Sequence, residues 1–186
     1  MNHVKVNQQL FAEIYETQYK RVYNYISYRI NNHMDTEDLV SQVFLKVVEK
    51  FDRFDPKRAA LSTGIISITR NTIADYYRAG KKITSVEIDS LGETLSSCDE
   101  PGSIIIRNEQ NRTLLNALNK LTDRERNLIA LKYGAELGNK EIAQIMELTE
   151  SNVAVVIFRS LRKLRGYFNK EDLVCNEIMP EIGKMC

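Results

Sequence analysis

Residues 121–165 read LTDRERNLIALKYGAELGNKEIAQIMELTESNVAVVIFRSLRKLR, and their apolar positions recur at three- and four-residue spacing, a period that suits helices and not strands. Thr122-Asp123-Arg124-Glu125 has the Thr-x-x-Glu pattern of a capping box, in which each end satisfies an orphan backbone donor of the other. The helix it opens carries Leu128, Ile129 and Leu131 and is expected to stop near Gly134, a residue free to take a left-handed turn. A second helix is expected after Gly138, with Asn139 as N-cap and with Ile142, Ala143, Ile145 and Met146 along it. The turn Glu147-Leu148 leads to Thr149, the expected N-cap of a third helix.

That third helix places Val153, Ile157, Leu161 and Leu164 on one face, with Asn152, Arg159, Arg162, Lys163 and Arg165 on the other. Two helices joined by a tight turn, the second apolar behind and basic in front, describe a helix-turn-helix that lays its second helix in the major groove of DNA. The small Ala143 suits the close approach of the two helices. A helical hairpin that merely packs, its basic face solvated, has the same pattern, so the rest of the chain must decide.

The 186 residues suffice for one domain of good size or two small helical ones. No stretch is long and apolar enough to span a membrane, and MNHVKVNQQLF lacks the apolar run of a signal peptide, so a cytoplasmic protein is expected. Cys98, Cys175 and Cys186 form no C-x-x-C pair, and His3 and His33 are the only histidines, so neither a disulfide framework nor a metal centre is expected. The net charge of +1 conceals an uneven distribution: +2 over residues 1–79, −3 over 80–106, +4 over 107–168 and −2 over 169–186. Local rather than net charge sets the attraction for phosphates.

Residues 8–30 form one amphipathic helix by pattern, with Phe11, Ile14, Tyr15, Val22, Tyr23, Ile26 and Ile30 at helical spacing and Tyr19, Tyr25 and Tyr28 beside them. Asn31-Asn32-His33 breaks it. Asp35 is the expected N-cap of the next helix, whose core stripe is Leu39, Val43, Val47 and the Phe44–Val48 pair, while Asp38, Gln42, Leu45, Lys46 and Glu49 point elsewhere. Asp55-Pro56 ends that helix. A further helix over residues 62–79 carries Ile65, Ile68, Thr69, Ile73 and Tyr76, with Arg70, Asn71, Asp75, Tyr77 and Arg78 on its other side. Residues 80–106, rich in Gly, Ser and acidic groups, read as a flexible linker, and a helix over 104–119 with Leu114, Leu115 and Leu118 on its core side begins the second domain. The tail 169–186 is acidic and interrupted by Pro180. It reads as a frayed end or a short docking helix, and its charge could shield the basic recognition helix.

DTEDLVSQVFLKVVEKFDRFDP followed by ISITRNTIADYYR resembles region two of the extracytoplasmic-function sigma factors, and LTDRERNLIALKYG, KEIAQIMELTESNV and FRSLRKLR resemble their region four. The two likenesses stand in the family's order and cover roughly residues 8–168. They imply an all-α chain of two small helical domains, 1–79 and 107–168, joined by the flexible linker. The function implied is that of an alternative sigma factor, which binds core RNA polymerase through its β′ and β subunits, directs it to promoters and helps to open the DNA. An anti-sigma factor is the further partner implied; no cofactor or metal is.

By the same resemblance Asp38, Leu39, Gln42, Leu45, Lys46 and Glu49 meet the polymerase. Arg70, Asn71, Asp75, Arg78, Lys81 and Lys82 meet the −10 element, Asn71 and Asp75 at base edges and the cations at phosphates. Asp75 has the alternative of pairing with Arg70 or Arg78 on its own helix. Ser151, Asn152, Ala154, Val155, Phe158, Arg159, Arg162 and Lys163 would meet the −35 element, with Arg162, Lys163 and Arg165 on phosphates. Two departures stand out: Gly64 occupies a position where relatives usually carry Trp, and Ala154 and Val156 stand where many carry Arg or Lys. The second departure points to an A/T-leaning −35 element, read through thymine methyls and backbone shape. A helix-turn-helix regulator that acts without polymerase would have no need of the 35–49 block. A DNA recombinase would need a catalytic Ser or Tyr among clustered arginines, a set this chain does not present, and no nucleophile–base pair or phosphate-binding glycine loop points to an enzyme.

Overall fold

The computed structural model describes residues 8–51, 60–83 and 113–168. The expectations placed on the loop 52–59, on 84–112 and on the tail 169–186 lie outside those residues. Among the described residues every regular element is helical: α1 (Gln8–Ile30), α2 (His33–Lys50), α3 (Leu61–Ile83), α4 (residues 113–118), α5 (Asp123–Ile129) with the π-helical turn Ala130–Gly134, α6 (Asn139–Met146) and α7 (Glu150–Phe168).

The first domain is a three-helix core. Ile14, Val22, Tyr25 and Ile26 of α1, Leu39, Val40, Val43, Phe44 and Val47 of α2, and Ile65, Ile66 and Ile73 of α3 are buried. α1 ends where Asn31 turns left-handed (φ 54), a conformation Asn tolerates better than most residues. Asn32, extended at φ −140, then caps α2 by accepting from the Asp35 amide at 3.2 Å. The expected cap, Asp35, is instead within the first turn of the helix, where its Oδ2 accepts the Tyr76 hydroxyl at 2.7 Å and ties α2 to α3. Val48 does not join Phe44 in the core but lies exposed. α3 runs four residues beyond the expected end at 79, because one Gly at position 80 costs a helix only ~1 kcal/mol and Lys81-Lys82 favour its continuation.

In the second domain the capping box of α5 forms as its residues suggest. The Thr122 amide and hydroxyl both donate to Glu125 Oε2, at 3.0 and 2.9 Å, and Thr122 Oγ1 accepts from the Glu125 amide at 3.4 Å. Gly134 does not turn left-handed. The helix widens instead, with the Ala135 amide donating to the Ala130 carbonyl at 2.9 Å, and Glu136 takes the left-handed conformation (φ 55). The N-cap of α6 is Gly138 rather than Asn139, and Glu141 Oε2 reaches back to accept the Gly138 amide at 2.8 Å. Thr149 caps α7, its Oγ1 accepting from the Asn152 amide at 3.2 Å. α7 buries Val153, Ile157, Leu161 and Leu164 as its spacing predicts, and Phe168 in its last turn as well. Leu114 and Leu118 of α4 are buried, whereas Leu115 is only partly so.

The two domains pack on one another. Tyr25, 1% exposed, donates through its hydroxyl to Asn127 Oδ1 at 2.8 Å. The π-helical turn lies so close to α1 that a Cβ added at Gly134 would stand 3.0 Å from both the Cα and the amide nitrogen of Tyr25. A glycine is required here by close approach, since any side chain would meet backbone that cannot yield.

Candidate functional site

The exposed face of α2 is set by the helical period. With residues 39, 40, 43, 44 and 47 turned inward, Met34, Asp38, Ser41, Leu45 and Val48 form a stripe on the outside, with Glu37, Gln42 and Glu49 beside it. Leu45 is 65% exposed, and Met34 and Val48 are exposed with it. Of the residues expected to meet the polymerase, Asp38, Gln42, Leu45 and Glu49 share this surface. Leu39 does not: it is 3% exposed and belongs to the core. Lys46 turns toward α3, its Nζ donating to Thr72 Oγ1 at 3.1 Å and lying 3.6 Å from Asp75 Oδ2. Met34 and Val48 were missed by the sequence reading, although the same four- and three-residue steps that pick out Leu45 pass through them. Behind α2, Phe44 packs on Tyr15 of α1 with ring centroids 4.6 Å apart, which fixes the helix against the domain.

On α3 the expected −10 residues divide. Asn71 is exposed. Asp75 takes the pairing alternative, holding Arg78 Nη2 at 2.9 Å as well as Lys46, so its carboxylate already has two cations. Arg70 is directed at the second domain, where its Nη1 donates to the Ile145 carbonyl at 3.0 Å. Thr63 likewise donates to Glu141 Oε1 at 3.2 Å. Lys81 and Lys82 lie in the last turn of α3, and their side chains are outside the described residues.

The outward face of α7 carries Ser151, Asn152, Ala154, Val155, Phe158, Arg159 and Arg162, all exposed, so the structure brings the expected −35 residues onto one surface. Phe158 is 57% exposed and Val155 is exposed beside it, an apolar strip flanked by arginines. Lys163 is exposed as well but already paired. Its Nζ lies 2.6 Å from Glu125 Oε1, and this ion pair holds the Glu125 carboxyl below its ordinary range, with Thr122 adding to the effect. The turn before α7 is made by Glu147 in the left-handed conformation (φ 55), with the Leu148 amide donating to the Ala143 carbonyl at 2.9 Å.

Gly64 lines a pocket of about 400 Å³ between α2 and α3, together with Val47, Lys50, Phe51, Leu61, Ile65 and Ile68. Among the described residues no cluster of His, Cys, Asp and Glu could hold a metal ion, and no helix is long and apolar enough to cross a membrane.

The chain matches the family Sigma-70 region 2 over residues 14–83 and the family Sigma-70, region 4 over residues 111–164. Among curated proteins it is similar to the ECF RNA polymerase sigma factors SigX (24% identity, 94% of this chain and 92% of the relative) and SigM (25%, 85% and 94%) of Bacillus subtilis. It is also similar to BldN of Streptomyces coelicolor, at 25% identity over 83% of this chain, and spans 58% of that protein's length. Its fold is that of CnrH in complex with the cytosolic domain of CnrY (TM-score 0.66, 20% identity, 89% of this chain and 92% of that one). It is equally that of the sigma factor RpoE of Bartonella quintana in complex with the anti-sigma factor NepR (TM-score 0.67, 18%, 87% and 98%). With a region-two helical core, a region-four helix-turn-helix and both family matches in this order, the chain belongs to the ECF sigma factors, the alternative sigma subunits with which RNA polymerase recognises promoters.

Proposed function

We propose that α2 docks this sigma factor on core RNA polymerase through Leu45, with Met34 and Val48 extending the apolar contact and Asp38, Gln42 and Glu49 forming its polar rim. The observation that carries this assignment is the exposure of Leu45 on a helix whose other aliphatic positions are mostly buried. An apolar centre ringed by charged and amide groups is the anatomy of a protein interface. α3 presents Asn71 to the −10 element, and Arg70 joins it when its hydrogen bond to the Ile145 carbonyl is released. α7 presents Asn152, Ala154, Val155, Phe158 and Arg159 to the base edges of the −35 element, with Ser151 and Arg162 on the backbone. Val155 and Phe158 suit thymine methyls, which supports an A/T-leaning element.

The protein acts as a polymerase subunit in the cytoplasm and is not itself an enzyme. The complex of its structural relative RpoE with NepR supports an anti-sigma partner for this chain too. The docking assignment is tested by titrating labelled core polymerase with Leu45→Arg. A loss of affinity of tenfold or more, with unchanged helicity by circular dichroism, is expected. Unchanged affinity would move the contact off α2.

A further inference from the structure

Asn71, Asp75 and Arg78 follow one another at four- and three-residue spacing and share one exposed face of α3. Asp75 is the odd member of that face, because a carboxylate turned toward DNA opposes the phosphates. Both of its oxygens are also engaged. Oδ1 holds Arg78 Nη2 at 2.9 Å on the same helix, and Oδ2 lies 3.6 Å from Lys46 Nζ, which reaches across from α2. Lys46 is anchored in its turn. Its Nζ donates to Oγ1 of Thr72, a residue 1% exposed, at 3.1 Å, and Thr72 donates to the Ile68 carbonyl at 3.1 Å. The side chains of Lys46, Asp75 and Arg78 are 32%, 54% and 74% exposed, so the relay runs outward from the core and ends on the guanidinium. Two cations share one carboxylate, and the positive charge left over faces solvent on Arg78.

We propose that Asp75 is a positioning residue: it holds the Arg78 guanidinium on the Asn71 face of α3, where Arg78 meets the phosphate backbone of the −10 element, and Lys46 anchors Asp75 from α2. The inference rests on the reading of α3 as the helix that meets the −10 element. An exposed ion pair adds little to stability, because water screens it and ordering two side chains costs entropy. What it supplies here is orientation. Arginine is a long side chain of many rotamers, but its planar guanidinium has more N–H donors than one carboxylate takes, so the group Asp75 holds still has donors for a phosphate. Lys46 stands next to Leu45, so the relay also ties the docking helix to the helix that reads the promoter.

A double-mutant cycle on the holoenzyme tests this. Full-length protein with bacterial core polymerase is given fragmented genomic DNA, and the strongest wild-type run-off template is labelled as the probe. A wild type that yields no transcript would overturn the sigma reading itself, and this inference with it. On that template Asp75→Asn, which keeps the shape and removes the charge, should weaken holoenzyme binding by about threefold or more, at equal helicity. In an Arg78→Ala background the same substitution should have no effect or tighten binding. Charge alone predicts tighter binding from Asp75→Asn in both backgrounds, and a base contact by Asp75 predicts the same loss in both. Either result, or no change with Arg78 present, would overturn the proposal. Lys46→Met should repeat the pattern of Asp75→Asn, and a loss that persists without Arg78 would strike Lys46 from the relay.

Discussion

Lys163 on the recognition helix and Glu125 in the capping box of α5 form an ion pair of 2.6 Å that ties the recognition helix to α5. Glu125 is the more enclosed partner, and its carboxyl is held low by the Lys163 hydrogen bond first and by Thr122 second. A carboxyl whose folded value is depressed contributes stability above its unfolded value and loses it as pH falls through the folded one. Thermal unfolding followed from pH 7 to pH 3 should therefore show an acid limb in the second domain that Lys163→Met flattens. A limb of the same slope in the variant would remove this pair from the account.

The same pair makes a prediction about DNA. A cation neutralised by a carboxylate releases fewer counterions on meeting a phosphate than an unopposed one. Replacing Arg162 by Ala should reduce the salt slope of promoter binding by ~1, and replacing Lys163 by Ala should reduce it by clearly less. Equal reductions measured by fluorescence anisotropy across a salt series would show that the ion pair opens on DNA.

Burial pushes the Tyr25 phenol up to about 12, while Arg29 and Arg70 pull it back. The unfolded phenol ionises near 10, so the neutral form is the one the structure favours. Its contribution is whole below pH ~10 and lost as pH rises through about 12, on the order of 2–3 kcal/mol. Tyr76, pushed up to about 12 by burial and by its bond to Asp35, acts in the same sense. Tyr25→Phe should cost about 1–2 kcal/mol near neutrality, because Asn127 loses a donor, and should soften the alkaline loss of stability. Urea unfolding at pH 8 and pH 11 checks both, and an alkaline loss unchanged by Tyr25→Phe would contradict the assignment.

Gly64 sits in the first turns of α3 beside the apolar pocket. Gly64→Ala should stabilise the first domain by about 0.5–1 kcal/mol through helix propensity, with no loss of polymerase binding. A destabilised variant would mean that the backbone at 64 requires the freedom of glycine.

Much of this architecture was written in local chemistry. The Thr122–Glu125 box, Thr149 as a cap and the buried face of α7 follow from residue type and a 3.6-residue period, and all three form. Caps that depend on competition between neighbours were harder. Asn32 displaces Asp35, and Gly138 displaces Asn139, because the residue that can take the extended conformation three positions before a free amide wins. Gly134 was misread for a different reason. Its glycine serves a contact with Tyr25, a residue 109 positions away, and no local pattern distinguishes that use from a turn. The exposed Leu45 was legible as the one Leu off the α2 stripe, whereas Lys46 and Arg70, expected to be open to partners, are already engaged by Asp75 and by the Ile145 carbonyl. Those partners lie on other helices, and only the packing reveals them.

Run-off transcription tests the central claim most directly. Purified bacterial core polymerase is given fragmented genomic DNA with and without this protein. Discrete transcripts that appear only with the protein, and disappear with Leu45→Arg, are the predicted result. Binding to DNA without polymerase, and no new transcripts with it, would contradict the account.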